Sequence, residues 1–184
     1  MANSKVEYLP LGDVVKNVRG TITPSEMDPD GDYILLEHIV SGTGLVRATK
    51  VSDQRVGSNK SQFFEGDVLY GKLRPNLRKV CVAAAPGYCS TDIIPLRPLY
   101  PGSSYYLAAV LRAETFTAEV MRMVSGANLP RIGVKDLLKF EIPWPDPQRL
   151  SMLNEVCMEA IELRNNVDSL TQQIETFESS LWVH

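Results

Sequence analysis

The sequence predicts an α+β fold, in which a β-rich domain is followed by a long C-terminal coiled-coil helix. Short apolar segments separated by Pro, Gly, Asn and Asp fill the chain up to Pro147, and no Pro or Gly occurs after it. From Leu153 onwards, apolar or small residues recur at alternating steps of three and four residues, which is the a/d pattern of a coiled coil. We therefore predict a domain over residues 1–146 and a helix over residues 147–184.

The predicted domain consists mainly of short strands. Each strand is a run of β-branched, aromatic or other apolar residues bounded by turn residues, such as the pairs Gly66-Asp67 and Pro86-Gly87. The predicted strands are 33–40, 68–70, 81–85 and 88–96. A loop at 21–32 precedes the first of them, and the polar, basic segment 46–60 is predicted to form an exposed strand and loop.

A helical period begins after the last of these strands. Ser103 or Ser104 can provide the N-cap of a helix that carries Tyr106 and Leu107. The segments that follow are predicted as a second helical stretch at 116–124, a loop at 125–132, a helical turn at 134–140 and an extended exit at 141–145. The long helix comes directly after that exit.

The apolar stripe of the long helix continues over four heptads. Its members are Leu153, Val156, Ala160, Leu163, Val167, Leu170, Ile174, Phe177 and Leu181. A helix of about 33 residues is about 50 Å long, which exceeds the diameter of a domain formed by the rest of the chain. We therefore interpret the helix as an assembly device. The alternative is a core helix of a monomer, whose stripe packs on its own domain.

Composition indicates an ordinary globular protein of one domain plus an appendage. Of its 184 residues, 44% are hydrophobic and 22% charged. Apolar runs are short and the N-terminus leads into no apolar segment, so we expect neither a secreted nor a membrane protein. The three cysteines lack CxxC spacing and the chain has only two histidines. This predicts a reduced, cytoplasmic protein without structural zinc.

Positive charge is concentrated in one part of an otherwise acidic chain. The net charge is -3, yet residues 41–80 hold eight Lys or Arg against three Asp or Glu. Residues 146–184 hold two against seven. Such a distribution is typical of a surface that contacts a polyanion. The alternatives are a solvated surface that happens to be basic, and a coiled-coil adaptor protein that binds no nucleic acid.

The sequence carries no recognisable catalytic motif. The glycines at 42 and 44 lack both the Gly-Lys-Ser/Thr ending of a phosphate-binding loop and the third glycine of a dinucleotide fingerprint. The chain contains no Asp/Asn-Pro-Pro-Tyr/Phe run for adenine methylation, no glycine loop for S-adenosylmethionine, and no nuclease or helicase motif. Glu65 and Asp67 resemble a metal pair, but a turn is the favoured interpretation. We predict a non-catalytic protein without a cofactor or metal of its own.

Several motifs, in order, resemble a known family. They are GDVLYGKLRPNLRKV at 66–80, GYCSTD at 87–92 and SGANLPRIGVKDLLKFEIPWP at 125–145, with the coiled coil immediately after. Together they resemble the DNA specificity subunits of type I restriction-modification systems, over nearly the whole chain. Members of that family have target recognition domains, each followed by a conserved helix, usually two of each. This chain resembles half of such a subunit, and it departs from many relatives at 146–149.

The resemblance implies that the domain binds double-stranded DNA in the major groove. The leading predicted contacts are Lys72, Arg74, Arg78 and Lys79, followed by Arg47, Lys50, Arg55 and Lys60. Because Arg suits guanine and Asn suits adenine, we predict base reading by Arg74, Asn76 and Arg78, with the lysines on phosphates. Asn128 and Arg131 are further candidates, and a structural turn is an equal alternative for them.

The resemblance also implies partners. They are a DNA methyltransferase subunit, which would hold S-adenosylmethionine, and the translocase/nuclease subunits of a full complex. Two copies paired through their helices, antiparallel as in tandem relatives, would read an interrupted palindrome. Two alternatives are a fragment of a longer subunit and a detached module of a single-chain methyltransferase-nuclease.

Overall fold

The computed structural model describes residues 6–18, 20–124 and 128–181. The strands are β1 (Glu7–Pro10), β2 (Val15–Asn17), β3 (Thr21–Ile22), β4 (Asp32–Ile34), β5 (Thr49–Lys50), β6 (Lys60–Phe63), β7 (Val68–Gly71), β8 (Val80–Val82), β9 (Gly87–Cys89), β10 (Ile93–Pro98) and β11 (Glu141–Trp144). The helices are α1 (Leu11–Val14), α2 (Ser104–Arg112), α3 (Glu114–Val124), α4 (Val134–Leu137) and α5 (Pro147–Ser180).

The strands form three sheets. The four-stranded sheet has the order β2-β10-β7-β8 and is antiparallel throughout. The five-stranded sheet has the order β3-β6-β9-β4-β5, with a parallel pair between β9 and β4. In the third sheet, β1 pairs with β11 and so ties the N-terminal strand to the segment that enters α5. The structure thus confirms the predicted α+β class, with a β-rich part followed by a long helix.

The main core lies between the four-stranded sheet and the helices α2 and α3. Leu107 and Leu111 of α2 are buried in the same cluster as Val68 and Tyr70 of β7. Trp144, at the end of β11, has its ring 5.2 Å from that of Tyr100 and 6.0 Å from that of Tyr106, centroid to centroid. A second cluster fills the space between the two larger sheets and is formed by Ile34, Ile39, Phe63, Leu69, Cys81, Ala83, Cys89 and Ile93.

The predicted strand at 33–40 is wrong in its second half. Strand β4 ends at Ile34, and residues Leu36–His38 form a 3₁₀ turn. The backbone N–H of Leu35 donates to Nδ1 of His38 at 3.2 Å, which stabilises the turn. An apolar run of this length does not distinguish a strand from a buried turn.

Asp67 stabilises the turn before β7, as the favoured interpretation of Glu65 and Asp67 predicts. Its carboxylate is 1% exposed and accepts two hydrogen bonds from Arg97, at 2.9 and 3.0 Å. It also accepts the backbone N–H of Phe64 at 2.8 Å. Among the described residues, no group of three or more His, Cys, Asp or Glu is arranged to hold a metal ion.

Helix α5 is 34 residues long and begins at Pro147. Asp146 caps it by accepting the backbone N–H of Arg149 at 3.0 Å, and Pro at the first helical position suits a helix start. None of the described helices is both long and apolar enough to span a membrane. Residues 125–127 of the predicted loop and 182–184 of the predicted helix lie outside the described residues.

The first turns of α5 pack on the domain. Leu150 is buried in the main core, and Leu153 packs beside it. The side chain of Asn154 accepts the backbone N–H groups of Tyr105 and Tyr106, at 2.9 and 3.1 Å. Those N–H groups belong to the first turn of α2, which has no hydrogen bond from its own N-cap side chain. Asn154 therefore caps α2 from a different helix.

Candidate nucleic-acid interface

The hairpin connection between β7 and β8 carries the densest group of predicted DNA contacts. We call residues 72–79 the recognition turn. Its base is closed by the backbone N–H of Gly71, which donates to the carbonyl of Lys79 at 2.8 Å. Within it, Pro75–Leu77 form a 3₁₀ turn. The predicted exposed turn thus stands at the end of a rigid hairpin, which is a suitable scaffold for positioning side chains.

Two arginines of the recognition turn have a left-handed backbone. Arg74 and Arg78 both have φ of 51°, on either side of the 3₁₀ turn. This conformation costs an L-residue about 1–2 kcal/mol, so Gly is the usual choice in such positions. Strained backbone of this kind is common at functional sites, and the side chain of Arg74 is exposed there.

A second loop joins the recognition turn in space. The backbone N–H of Arg74 donates to the carbonyl of Pro130 at 2.8 Å, and the N–H of Ile132 donates to the carbonyl of Lys72 at 3.0 Å. These bonds form an isolated antiparallel bridge between Leu73 and Arg131. Two segments more than fifty residues apart in sequence therefore form one surface. Its predicted DNA contacts are Lys72, Arg74, Asn76, Arg78 and Lys79 of the recognition turn, with Asn128 and Arg131 of the second loop.

The cations of this surface differ in their partners. Arg131 donates to Asp92 at 2.6 Å, and Arg78 donates to Glu114 at 2.9 Å. Both acids come from elements distant in sequence, so no local pattern predicts these pairs. Lys72 and Arg74 have no ion-pair partner within the described part of the chain. Their charges are thus available to an external anion.

Other predicted contacts make intramolecular bonds. Lys79 donates to the carbonyl of Leu36 at 2.6 Å. Lys60 is buried and donates to the hydroxyl and carbonyl oxygens of Ser58, at 2.7 and 2.8 Å. Each of these lysines therefore holds a loop in place.

The remaining predicted cations lie around loop 41–55. Lys50 pairs with Asp32 at 2.7 Å, a hydrogen bond that raises the pKa of the Lys50 ammonium. Arg47 pairs with Asp168 of α5 at 2.7 Å, and this bond raises the pKa of its guanidinium. Arg55 is exposed and has no ion pair among the residues that the structure covers. Arg47 thus contacts helix α5.

The strained backbone of Arg74 gives a testable separation of stability from binding. We expect Arg74→Gly to be more stable than Arg74→Ala by about 1 kcal/mol, because Gly adopts a left-handed backbone without cost. Both variants lose the guanidinium, so if Arg74 contacts DNA as predicted, we expect the same loss of DNA affinity from both. Urea unfolding and duplex-binding titrations measure the two effects. Equal stability of the two variants would contradict the assigned backbone conformation.

The apolar stripe of α5 is exposed along most of its length. The exposed fraction is 65% at Val167, 58% at Leu170 and 64% at Phe177. Val156, Leu163, Ile174 and Leu181 are also exposed, as is Ala160. Leu153 is the exception, because it packs partly on the domain core. The alternative in which the stripe packs on its own domain is therefore wrong.

A different face of α5 contacts the domain. This face contains Leu150, Asn154, Ile161 and Asp168. At about 100° per residue, it lies roughly 140° around the helix from the stripe. The stripe is thus free to pair with another helix while the opposite face holds the domain.

Comparison with known proteins identifies a related family. No family model matches the chain. The chain is 31% identical over 147 residues to the Type I restriction enzyme EcoDI specificity subunit of Escherichia coli, a match that covers 79% of this chain and 32% of that protein. The chain belongs to the specificity-subunit family of type I restriction-modification systems.

Solved structures of specificity subunits have the same fold. The HsdS subunit from Thermoanaerobacter tengcongensis superposes with a TM-score of 0.68 at 17% identity, over 98% of this chain and 49% of that one. The type I S subunit from M. genitalium has a TM-score of 0.61 at 14% identity, over 97% of this chain and 45% of that one. The chain therefore spans about a third of its curated relative and about half of these structures.

Proposed function

We propose that this specificity-subunit chain binds a defined DNA sequence and directs a methyltransferase subunit to it. The observation that carries the proposal is the junction of the recognition turn with loop 128–131 through the Leu73–Arg131 bridge. That junction gathers unpaired cations and exposed amides on one rigid surface. Such a surface has the groups needed for phosphate contacts and for base edges.

The division of labour on this surface follows from side-chain chemistry. Lys72 would hold a phosphate, because an ammonium is a point charge with no preferred base. Arg74 would donate two hydrogen bonds to a guanine, and Asn76 would read an adenine. Arg131 would act beside them with its second donor edge, since Asp92 accepts from one nitrogen.

Two copies of the chain would together form the complete DNA-recognition unit. The exposed stripe supports pairing through α5, since a long apolar row on a helix is stable in water only when it is covered. An antiparallel pair would carry one recognition domain at each end and would read an interrupted palindrome.

The chain itself would supply recognition and no chemistry. Its relatives are named specificity subunits, which agrees with the prediction of a non-catalytic component. We propose that a partner methyltransferase binds S-adenosylmethionine and flips the target adenine. A solved relative comes from work on complex assembly of a type I restriction-modification system, which supports assembly with methyltransferase and restriction subunits here.

The proposal is tested by DNA selection combined with mass measurement. Light scattering of the purified chain should give a dimer of about twice 20.5 kDa, and mixing with a candidate methyltransferase subunit should give a larger complex. Selection from randomised duplexes should return a symmetric interrupted site, with affinity falling steeply as salt rises from about 50 to about 200 mM.

Other outcomes identify the rival functions. A chain that binds no duplex even at low salt would be an adaptor, which is the second candidate that the acidic helix favours. A monomer that recruits the methyltransferase would be part of a longer subunit whose other half supplies the partner helix. Binding without sequence preference would contradict base reading by Arg74 and Asn76.

A further inference from the structure

One face of helix α5 contacts its own domain from Leu150 to Asp168, and polar contacts hold it at the two ends of that face. The first end has the packing of Leu150 with the cap from Asn154. The second lies farther along the helix, where Arg164 donates to the carbonyl of Thr43 at 2.6 Å. There Asp168 also accepts two hydrogen bonds from Arg47, at 2.7 and 3.3 Å. From Asn154 to Asp168 the helix rises about 21 Å.

The loop at the second end also reaches the recognition turn. The backbone N–H of Gly42 donates to the carbonyl of Arg78 at 3.3 Å. Two residues later, Gly44 has φ of +88°, and a Cβ there would lie 2.6 Å from both Arg112 Nη1 and Ile161 Cδ1. The positive φ favours Gly at this position, and Ile161 of α5 packs against it. The loop therefore joins the recognition turn to α5 directly.

Polar contacts at the far end of the face add resistance to tilting. A helix held by packing near its start, as far as Ile161, can tilt on that packing, whereas contacts at Asp168, about four turns beyond Asn154, oppose the tilt. In a dimer with one recognition domain at each end this angle matters, because a tilt of the helix displaces the distant domain. A tilt of about 10° over about 40 Å moves that domain by roughly 7 Å, which is about two base-pair steps.

We propose that Arg47, Arg164 and Asp168 form a latch that fixes the angle between the recognition domain and α5, and so determines the spacing between the two half-sites. The spacing part rests on the proposed function, whereas the angle is a property of the chain alone. Arg47 is then a positioning residue for specificity and not a DNA contact. Two of its three guanidinium nitrogens, Nε and Nη2, already donate to Asp168, whose carboxylate also neutralises the charge that a phosphate contact would use.

The latch consists of exposed groups, so breaking it leaves the domain folded. Exposed ion pairs contribute little to stability, and none of the three side chains belongs to a core cluster. The test variant is Arg47→Ala with Asp168→Ala, with Arg164→Ala added as a third change. The matched control is Lys16→Ala with Lys135→Ala and Glu159→Ala, which removes the same charges at exposed positions without ion pairs in the described structure.

The angle is measured without DNA by electron-electron double resonance. Spin labels at Gly57→Cys and Gln173→Cys, in a Cys157→Ser background and diluted with unlabelled chain, report the distance between domain and helix. We expect the distance distribution to widen about twofold in the latch variant and to stay unchanged in the control. An unchanged width in the latch variant would overturn the proposal.

The spacing is measured with duplexes whose spacer is lengthened or shortened by one base pair. We expect wild type and control to prefer one spacer, and the latch variant to lose about tenfold of that preference while retaining its half-site sequence. A wider distance distribution with an unchanged spacer preference would overturn the role in spacing. Failure of wild type to bind any duplex, with the distribution still widened by the variant, would overturn the proposed function and leave the latch in place.

Discussion

Replacing Lys72 and Arg74 together with Glu is expected to lower duplex affinity by about a hundredfold or more, without lowering the free energy of unfolding. Both cations lack an ion-pair partner among the described residues, so their loss breaks no internal salt bridge. Under the proposed function, the substitution removes one phosphate contact and one base contact, and it adds repulsion from the DNA backbone. Titrations at several salt concentrations should show a shallower salt dependence, because fewer counterions are released.

The neighbouring cations are unsuitable for this test. Changing Arg78 would remove its pair with Glu114, and changing Lys79 would free the carbonyl of Leu36, so either would disturb the fold as well. A matched control is Lys16→Glu with Arg149→Glu, which makes the same change in net charge at exposed positions outside the recognition turn. Equal losses in the two double variants would mean that only net charge matters and that the assigned surface is incorrect.

Replacing Val167 and Leu170 together with Glu is expected to convert the proposed dimer into a monomer. Both side chains are more than half exposed in the single chain, so the change leaves the folded domain intact. In a paired helix they would be covered, and burying two carboxylates without partners costs several kcal/mol. Light scattering should then give a mass near 20.5 kDa, and binding should fall to that of one half-site.

The same two charges placed on another face of α5 serve as the control. Ser169→Glu with Gln173→Glu adds them at exposed positions roughly 100° around the helix from the stripe. This variant should remain a dimer. A wild-type chain that is monomeric at tens of micromolar would contradict the pairing, as would a dimer that survives the Val167 and Leu170 changes.

The features predictable from sequence are those encoded locally. The period of three and four residues after Leu153 predicts both the helix and its exposed stripe, because one turn of helix determines which residues share a face. Ser103 likewise marks the start of α2. The prediction that residues 72–79 form an exposed turn follows from Pro75 and Asn76, which favour turns whatever the rest of the chain does.

The site itself depends on contacts that no local pattern encodes. Leu73 and Arg131 are far apart in sequence, and only the tertiary fold brings them together. The acids that pair with Arg78 and Arg131 also come from distant elements. The sequence predicts Lys60 as an exposed cation, yet Lys60 is buried against Ser58. Charge alone therefore indicates which window is basic, and tertiary pairing decides which of its cations are available to a ligand.

The cap that Asn154 provides for α2 has a consequence for evolution by recombination. The N–H groups of Tyr105 and Tyr106 obtain their acceptor from a residue in the second turn of α5, so the domain and the beginning of that helix form one inherited unit. A crossover at the apparent boundary near residue 147 would join α2 to a foreign helix and leave those donors without an acceptor unless that helix carried an equivalent side chain. Exchanges that keep the unit whole should fall after Asn154, and chimaeras joined on either side of it would reveal the true module boundary.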